Sequence, residues 1–495
     1  MTTQPRPANP DIRVRFAPSP TGSPHVGTVH TALFNWLFAR HEGGTFILRI
    51  EDTDIEREIE GAVAEMVAGL RWLGLDWDEG PEVGGPYAPY TQSQRLPLYH
   101  GAARRLIDSG LAYYCYCSEE RLEALRLAQE RAHLPTGYDR HCRNLTPEEV
   151  ARYEADEITP VVRFRSPTEG RTTFHDLLRG AISVDNRTID DFILLKSNGY
   201  PVYALAAIVD DHEMRISHVI RGEDWLPSTP RHLLVYRAFG YQVPVFVHVP
   251  LILATDRSKL SKRHGATSIA EFQELGYLPD ALLNYLALMG WSKDGKTELM
   301  SREELVESFT LDRLGKTPAI FNYEKLGWMN GVYIRQMDAD ALADALLPFL
   351  DRDLPPTVAR PLDRSYVRAI VPLVHERLRL MSEAASLTDF FFLDRLGYHS
   401  SLLTERGLDP QTARQALAMA LDRLQAAPDW EGHALEALLR PLAEELGLKT
   451  GPFFGLLRVA TTGRTAAPPL FATMEVLGRE RCMGRIEAAQ GMLGT

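Results

Sequence analysis

The chain has 495 residues, of which 45% are hydrophobic and 24% are charged, with a net charge of −12. This composition excludes a disordered chain, four cysteines exclude a disulfide scaffold, and the acidic balance excludes a protein that coats nucleic acid indiscriminately. At about 150 residues per domain, the length predicts three or four domains. The polar first residues and the lack of a long apolar stretch predict a cytoplasmic protein without a membrane segment.

The first seventy residues predict a strand–helix–strand unit. Ile12–Ala17 alternates like a strand, Val26–Leu37 carries a helical apolar stripe, and Thr45–Ile50 reads as a second strand. Such a unit is typical of a doubly wound parallel sheet of the Rossmann type. We expect Asp52–Asp54 to cap the next helix, with an apolar stripe that starts at Ile59.

The rest of the chain predicts an insertion and then a helical half. Strand-like runs resume at Asp191–Lys196 and Pro244–Leu253, and helical patterns dominate from Pro279 onward. We therefore expect an α/β fold in which a doubly wound, Rossmann-type parallel-sheet domain is split by an α+β insertion and followed by an all-helical C-terminal half. The predicted α/β domain comprises residues 1–112 and 191–254, and the insertion comprises residues 113–190. A helical domain with a cationic loop is predicted for residues 255–335, and a helical C-terminal region for residues 336–495.

A loop of small residues precedes the first predicted helix. It contains Ser19 and Gly22, and the helix opens with His25, Val26, Gly27 and Thr28. A helix N-terminus offers unpaired N–H groups and a positive partial charge, which suit a phosphate group. His25 can donate a hydrogen bond to a phosphoryl oxygen as charge develops there. Taken alone, an ordinary strand–turn–helix connection explains the motif equally well.

A cationic loop follows the last predicted strand. Lys259, Ser261 and Lys262 lie in the sequence KLSKR, and two lysines three residues apart can clamp a polyphosphate from a mobile loop. In isolation, such a segment is more often a solvated run of charge.

Together the two motifs resemble those of the class I aminoacyl-tRNA synthetases, which carry His-Ile-Gly-His and Lys-Met-Ser-Lys-Ser at these places. The flanking segments Arg15–Gly22, Arg49–Asp54 and Val219–Trp225 are similar to those of bacterial glutamyl-tRNA synthetases, and the resemblance covers essentially the whole chain. Thr28 stands where the class motif has its second histidine, and this replacement is ordinary in glutamyl enzymes. The resemblance implies ATP-dependent attachment of L-glutamate to tRNA(Glu) through a glutamyl-adenylate, with Mg²⁺ accompanying ATP and with no obligate protein partner.

The resemblance also implies roles for individual residues. His25, Lys259 and Lys262 are the expected catalytic residues. The expected ATP-binding residues are Ser19, Gly22, His25, Gly27, Thr28, Lys259, Ser261 and Lys262. The expected glutamate-binding residues are Arg15, Ser19, Glu51, Tyr203 and Arg221. Of these, Arg15 is expected to bind the side-chain carboxylate and to select glutamate over glutamine, because lysine cannot copy its bidentate fork. Arg13 matches no such role and is predicted to be a paired structural arginine.

For tRNA, the resemblance assigns residues 113–190 to the acceptor end, residues 255–335 to the stem, and residues 336–495 to the anticodon. Arg377 and Arg379 are candidate tRNA contacts, because readers of unstacked RNA bases commonly use arginine. Charging of tRNA(Glu) alone and charging of tRNA(Gln) as well are both compatible with the sequence, and nothing in it requires more than a monomer.

Three cysteines in the insertion resemble part of a zinc site. Cys115 and Cys117 are followed after 24 residues by Cys142, and family members with this spacing use a histidine two residues later as the fourth ligand. Asn144 occupies that position here and is a poor zinc ligand. We therefore expect three reduced thiols rather than bound zinc.

Four alternatives fit less well. A glutaminyl-tRNA synthetase would need strand-like alternation beyond residue 335, and the truncated paralogue that glutamylates a tRNA base lacks a C-terminal half. A nucleotidylyltransferase acting on small metabolites would leave both KLSKR and the C-terminal half unexplained. A non-catalytic tRNA-binding paralogue would be expected to lose His25 or Lys262, and both are present.

Overall fold

The structure is a computed structural model that describes residues 9–494, apart from the side chain of Lys262. The strands are β1 (Arg13–Phe16), β2 (Thr45–Leu48), β3 (Ala112–Cys115), β4 (Val161–Phe164), β5 (Arg171–Asp176), β6 (Gly180–Asp185), β7 (Ile193–Leu195), β8 (His218–Gly222), β9 (Val245–Val249), β10 (Ile252–Leu253) and β11 (Ala319–Ile320).

The α-helices are α1 (Val26–Glu42), α2 (Ala62–Trp72), α3 (Leu96–Asp108), α4 (Glu119–Arg131), α5 (Pro147–Ala155), α6 (Tyr203–Glu213), α7 (Thr229–Phe239), α8 (Ile269–Glu274), α9 (Pro279–Leu288), α10 (Arg302–Ser308), α11 (Tyr323–Gln336), α12 (Ala339–Asp353), α13 (Arg364–Val374), α14 (Glu383–Phe392), α15 (Ser401–Thr404), α16 (Pro410–Gln425), α17 (Gly432–Glu445), α18 (Thr450–Thr462), α19 (Leu470–Leu477) and α20 (Arg479–Met492). The chain forms two compact units. The first contains the chain up to Phe272 together with Leu282–Asn322, and the second contains Gln273–Ala281 together with the chain from Tyr323 onward.

Parallel strands form the centre of the first unit. β1 pairs with β2 in parallel, with α1 connecting them, and β8 pairs with β9 in parallel. The N–H of Ser217, just before β8, donates to the carbonyl of Arg13 in β1 at 2.9 Å, which places the two pairs side by side. The predicted α/β fold with a parallel sheet is therefore confirmed.

Helix α1 covers this sheet with an almost wholly buried surface. Its predicted apolar stripe, from Val26 to Leu37, is buried, and so is the amide of Asn35, which donates to the carbonyl of Ile220 at 3.0 Å. Gly43 ends the helix with a φ of +67°, a left-handed conformation that glycine adopts without steric cost. The helix is thereby fixed against β1, β2 and β8, with its N-terminus at their carboxyl ends.

The segment between the two halves of the parallel sheet forms two structures. β3, β4 and β7 make an antiparallel sheet, so Ile193–Leu195 pairs with β4 and not with the parallel strands. The hairpin of β5 and β6 instead extends the parallel sheet, because β5 pairs with β9 at Asp176 and Phe246. The same segment contains the charged helix α4, and Ser118 caps it by accepting a hydrogen bond from the N–H of Arg121.

Two local predictions are wrong. Asp52–Asp54 do not cap a helix, because the carboxylate of Asp52 accepts from the N–H and the hydroxyl of Ser93, and α2 begins only at Ala62. The predicted strand Pro244–Leu253 is two strands, β9 and β10, separated by Pro250, which has no N–H to donate to a sheet.

The second unit is helical, as predicted. Its core consists of aliphatic and aromatic side chains from α11 to α20, for example Leu346, Val371, Leu417 and Phe453. Loops interrupt its helices after Asp353, where α12 ends, and after Thr462, where α18 ends. Across residues 9–494, no helix combines the length and the apolar character needed to cross a membrane.

The close packing of Gly44 against the start of β1 yields a stability prediction. A Cβ at this position would lie 2.5 Å from the carbonyl oxygen of Ile12, so Gly44→Ala should destabilise the protein by about 1–3 kcal/mol through overpacking. Gly101→Ala is the matched control, because that helical position has no neighbour within 4 Å and alanine favours a helix. Thermal unfolding should show a lower Tm for Gly44→Ala and an equal or higher Tm for Gly101→Ala. Equal losses in both variants would contradict the packing argument.

Candidate active site

A cleft of about 630 Å³ lies where the carboxyl ends of β1, β8 and β9 meet the N-terminus of α1, the usual ligand position in an open α/β sheet. Of the expected site residues, the structure brings eight into its lining: Arg15, His25, Gly27, Thr28, Tyr203, Arg221, Lys259 and Ser261. Ser19, Gly22 and Glu51 are not in the lining. The side chain of Lys262 lies outside the described part of the structure.

The first backbone N–H groups of α1 are paired, although the sequence predicts unpaired ones. The N–H groups of Val26, Gly27 and Thr28 are not unpaired, because they donate to the Thr267 carbonyl, to His25 Nδ1 and to the His25 carbonyl. Since Nδ1 of His25 accepts a hydrogen bond, the neutral imidazole carries its proton on Nε2. This helix end therefore places the positive end of its dipole and the His25 ring at the cleft, while its first backbone N–H groups are already paired.

Arg15 is buried at the base of the cleft against a carboxylate. Its Nε donates to Oδ1 of Asp211 at 3.0 Å, and its Nη2 is 3.4 Å from Oδ2. Burial by itself would lower the pKa of Arg15, but the charge and hydrogen bond of Asp211 together with Tyr203 raise it. One edge of the guanidinium is thus occupied by Asp211, and the edge that bears Nη1 remains for a ligand. The neighbouring Arg13 donates to Glu79 at 2.9 Å, which confirms its prediction as a paired structural arginine.

Arg49 connects Arg15 to Glu51 through a buried chain of charges. Its Nη1 donates to the same oxygen of Asp211 at 2.8 Å, and its Nη2 donates to Glu51 at 2.9 Å. Burial raises the pKa of Glu51, against the opposing effect of Arg49. Asp211 is not among the predicted site residues, because its role becomes visible only when α6 packs beside β1 and β2.

Arg221 is buried with a different set of partners. Its Nε donates to His248 Nε2 at 3.1 Å, its Nη2 donates to the Thr229 hydroxyl at 2.8 Å and to His232 Nδ1 at 3.2 Å, and its Nη1 donates to the Tyr203 hydroxyl at 3.2 Å. Burial lowers the pKa of His232 well below its ordinary value, and Arg221 adds to this effect. Within residues 9–494, apart from the side chain of Lys262, Arg221 has no ion pair with a carboxylate. Its positive charge is therefore available to an anion in the cleft.

An aromatic pair forms one wall of the cleft. The rings of Tyr203 and Trp225 stack with their centroids 4.1 Å apart, and the guanidinium of Arg221 lies 5.7 Å from the Trp225 ring. Trp225 lines the cleft as well as packing against Tyr203, so its side chain also shapes the space for a ligand.

The KLSKR segment forms a loop at the cleft, and a histidine holds it together. The N–H of Ser261 donates to His264 Nδ1 at 3.2 Å, and Nε2 of the same ring lies 3.4 Å from Asp256. Leu260 is buried, whereas the neighbouring Lys259 is exposed and reaches the lining. The loop therefore presents cationic side chains from an anchored backbone.

The three cysteines of the insertion lie together, with Sγ atoms all within 4.8 Å of one another. The Tyr138 hydroxyl lies 3.3 Å from Cys115 Sγ and 3.7 Å from Cys117 Sγ, and it accepts from the N–H of Cys142 at 2.8 Å. Asn144 is engaged elsewhere, because its carbonyl accepts from Arg165. An oxygen atom therefore lies beside the three thiols, but it belongs to a tyrosine that the histidine pattern could not reveal.

In the second unit, three arginines approach one another. Arg377 donates to the carbonyl of Ala467 at 3.2 Å, and burial together with Arg406 and Arg377 lowers the pKa of Arg458. In the described part of the chain, none of the three pairs with a carboxylate. Arg379 is exposed, and its backbone N–H donates to Glu383. Arg458 is not among the predicted tRNA contacts, because it lies in α18 without any local signal.

The family assignment follows from comparison with known proteins. Residues 11–328 match the family described as tRNA synthetases class I (E and Q), catalytic domain, and residues 341–490 match the family described as anticodon binding domain. The chain therefore belongs to the class I tRNA synthetases of the glutamate and glutamine type.

Individual relatives within this class are glutamate–tRNA ligases. The chain is 53% identical to a glutamate–tRNA ligase of Dehalococcoides mccartyi, covering 97% of both chains, and 48% identical to that of Moorella thermoacetica, covering 97% of this chain and 98% of the relative. A crystal structure of a glutamate tRNA ligase from Elizabethkingia meningosepticum in complex with its amino acid superposes with a TM-score of 0.89 at 34% identity, covering 98% of this chain and 100% of that one. The protein is a member of the glutamate–tRNA ligase family.

The buried charge chain yields a second stability prediction. Arg49→Met should destabilise the protein by about 3–5 kcal/mol, because Asp211 and Glu51 would each lose a buried positive partner. Arg104→Met is the control, since Arg104 pairs with Asp108 on an exposed helix surface, where ion pairs contribute little. Urea unfolding followed by circular dichroism should show a lower midpoint only for Arg49→Met. A midpoint equal to that of the wild type would mean that the network does not stabilise the fold.

Proposed function

We propose that the cleft of the first unit carries out both steps by which the chain attaches L-glutamate to tRNA(Glu). One observation carries this proposal: a buried, carboxylate-free arginine, a capped helix N-terminus and a lysine-bearing loop open into the same cleft. The arginine fits an amino acid with a negatively charged side chain. The helix N-terminus and the lysine-bearing loop fit the phosphates of ATP.

In the first step, an oxygen of the glutamate α-carboxylate attacks the α-phosphorus of ATP, and the bond to the bridging oxygen breaks to release pyrophosphate. His25 Nε2–H and the positive end of α1 stabilise charge on the α-phosphate. Lys259 and Lys262 hold the departing pyrophosphate, and Ser19, Gly22, Gly27, Thr28 and Ser261 complete the ATP site. In the second step, a ribose hydroxyl at the end of tRNA attacks the acyl carbon, and AMP leaves.

Mg²⁺ accompanies ATP in this proposal. It prefers oxygen ligands and is commonly held by substrate phosphates with one or two carboxylates. Asp224 contributes a carboxylate to the lining, which fits such an ion. When bound, Mg²⁺ would neutralise charge on the phosphate oxygens.

Glutamate is selected by charge in this proposal. Arg221 and Tyr203 bind its carboxylates, Arg15 adds its free guanidinium edge, and Glu51 attracts its ammonium group. Arg221 contributes most to selection, because Arg15 already has Asp211 as a counter-charge. With glutamine, Arg221 would remain buried without an anion, which costs several kcal/mol and excludes the amide without editing.

Transfer RNA is bound along both units in this proposal. Residues 113–190 receive the acceptor end, residues 255–335 contact the stem, and residues 336–495 read the anticodon. Within residues 9–494, Arg377 and Arg458 have no carboxylate partner, so their positive charge suits contacts to single-stranded RNA, and Arg379 is a further candidate. We also infer a cytoplasmic location, because tRNA, ATP and glutamate meet there in protein synthesis.

We further propose that the insertion holds a structural zinc ion through Cys115, Cys117, Cys142 and Tyr138. Three sulfur donors and one oxygen donor satisfy the four-coordinate preference of zinc. The expectation of three metal-free thiols depended on the missing fourth ligand at Asn144, and Tyr138 removes that objection. Zinc would tie the end of β3, where Cys115 lies, to the turn His141–Asn144, which contains Cys142.

The activity prediction uses glutamate-dependent ATP–pyrophosphate exchange, with and without tRNA(Glu). The wild type should exchange with glutamate and not with glutamine. Arg221→Gln should lower kcat/KM for glutamate by about 10²-fold or more and should reduce the preference for glutamate over glutamine, because the buried charge is removed. Arg15→Gln should lower the same preference less. Absence of glutamate-dependent exchange in the wild type would refute the proposed function, and an unchanged preference in Arg221→Gln would refute its role.

The zinc prediction is tested by elemental analysis of purified protein. We expect about one zinc per chain, loss of zinc in Cys142→Ser, and faster zinc release to a chelator in Tyr138→Phe. Tyr116→Phe is a control, since Tyr116 stacks on Tyr153 and is not in the cysteine cluster. Fully active protein that contains no zinc would restore the interpretation as metal-free thiols.

A further inference from the structure

Behind Arg221 lies a buried chain of side chains that the proposed reaction does not use. Asp176, at the end of β5, accepts from His248 Nδ1 at 2.7 Å and from the N–H of His248 at 3.1 Å. On the other side of the ring, His248 Nε2 accepts from Arg221 Nε at 3.1 Å. Asp176 and His248 are both fully buried, so no solvent competes for these bonds.

The hydrogen bonds define where the proton of His248 resides. The other oxygen of Asp176 accepts from the N–H groups of Leu178 at 3.0 Å and Arg179 at 2.7 Å, so this side chain acts only as an acceptor. Burial by itself would raise the pKa of Asp176, but the interactions with His248 and the bonds from the N–H groups of Arg179 and Leu178 together lower it. Burial lowers the pKa of His248, against the opposing bond to Asp176. The pair is thus a carboxylate and a neutral imidazole protonated on Nδ1.

We propose that Asp176 and His248 are positioning residues of the glutamate site. Asp176 keeps the proton on Nδ1 of His248, so that Nε2 offers a neutral acceptor that orients Arg221 without cancelling its charge. This inference rests on the proposed binding of glutamate by Arg221.

The contrast with Arg15 shows why a neutral support matters. Asp211 orients Arg15 equally well, but a carboxylate also neutralises the guanidinium. Arg221 is held only by neutral groups, and the compensating charge of Asp176 lies one imidazole ring further away. A buried arginine held in this way retains an unsatisfied demand for an anion, which the substrate carboxylate meets.

The position of Asp176 links the hairpin of β5 and β6 to Arg221. It lies on β5, which belongs to the segment between the two halves of the parallel sheet, and β5 pairs with β9 at this residue. The hairpin of β5 and β6 therefore contributes directly to the support of Arg221, and a shift of this hairpin would alter the glutamate site.

The test compares two replacements of His248 that each keep one of its hydrogen bonds. In His248→Gln, the amide oxygen occupies the place of Nε2 and can accept from Arg221, whereas the bond to Asp176 is lost. In His248→Asn, the amide nitrogen occupies the place of Nδ1 and can donate to Asp176, whereas Arg221 Nε loses its acceptor. Glutamate and ATP kinetics are measured on the full-length enzyme in the presence of tRNA(Glu), together with Tm.

We expect His248→Asn to raise the KM for glutamate by about 10-fold or more, as loss of a hydrogen bond to a charged group does, with little change in kcat or in the KM for ATP. His248→Gln should rescue most of this loss even if its Tm is lower. Equal KM values in the two variants, or a higher KM in His248→Gln, would overturn the proposal, because the bond to Arg221 would then not matter.

Asp176→Asn tests the proton itself and does not require His248 to be replaced. The backbone N–H groups of Leu178 and Arg179 would hold the amide oxygen, so the amide nitrogen would face His248 and drive its proton to Nε2. An N–H would then oppose the N–H of Arg221, and the KM for glutamate should again rise by about 10-fold or more. A folded Asp176→Asn variant with a wild-type KM would overturn the inference. Loss of glutamate-dependent exchange in the wild type would instead refute the proposed function.

Discussion

The shared hydrogen bonding of Asp211 to Arg15 and Arg49 is the interaction on which the first unit depends. It lies at the carboxyl ends of two parallel strands, where both faces of a sheet are normally apolar, so each charge requires a partner within the core. Arg49 extends the chain to Glu51, and the adjacent Asp210 is held by Gln92, Arg95 and Tyr99. The network joins β1, β2, α6 and the start of α3 and forms the base of the cleft.

The two arginines of the cleft are compensated in opposite ways. Arg15 has a carboxylate within hydrogen-bonding distance, and Arg221 has two imidazoles and two hydroxyls. The first arrangement stabilises the fold and leaves an edge of the guanidinium to assist binding. The second keeps a buried positive charge without a carboxylate partner, which costs free energy, and in the proposed glutamate site this charge selects an acidic amino acid.

The segment between the two halves of the parallel sheet is part of the site as well as an insertion. Its antiparallel sheet is separate, and the cysteine cluster with Tyr138 lies beside it. Its hairpin adds strands to the central sheet and contributes Asp176 behind the cleft. Elements that lie more than seventy residues apart in the chain therefore support a single arginine, Arg221.

The sequence by itself determined the strand–helix–strand start, the helical second unit and the motifs of the cleft, because periodicity, glycine punctuation and short motifs are local properties. It also identified Arg15, His25 and Arg221, which lie inside those motifs. It did not reveal that the N–H groups of α1 are capped, that Pro250 divides a strand, or that Ile193–Leu195 leaves the parallel sheet.

Only the tertiary structure decided the partners of the charged groups. Asp211, His248, Tyr138 and Arg458 carry no local signal, since each acquires its role from a residue that is distant in the chain: Arg15, Asp176, Cys115 and Arg377 respectively. The free energy of a buried charge depends on the groups that face it and on their distance, and those are set by packing. A sequence can therefore identify which arginine lies in the site, whereas the fold decides whether a carboxylate of the protein already neutralises that arginine.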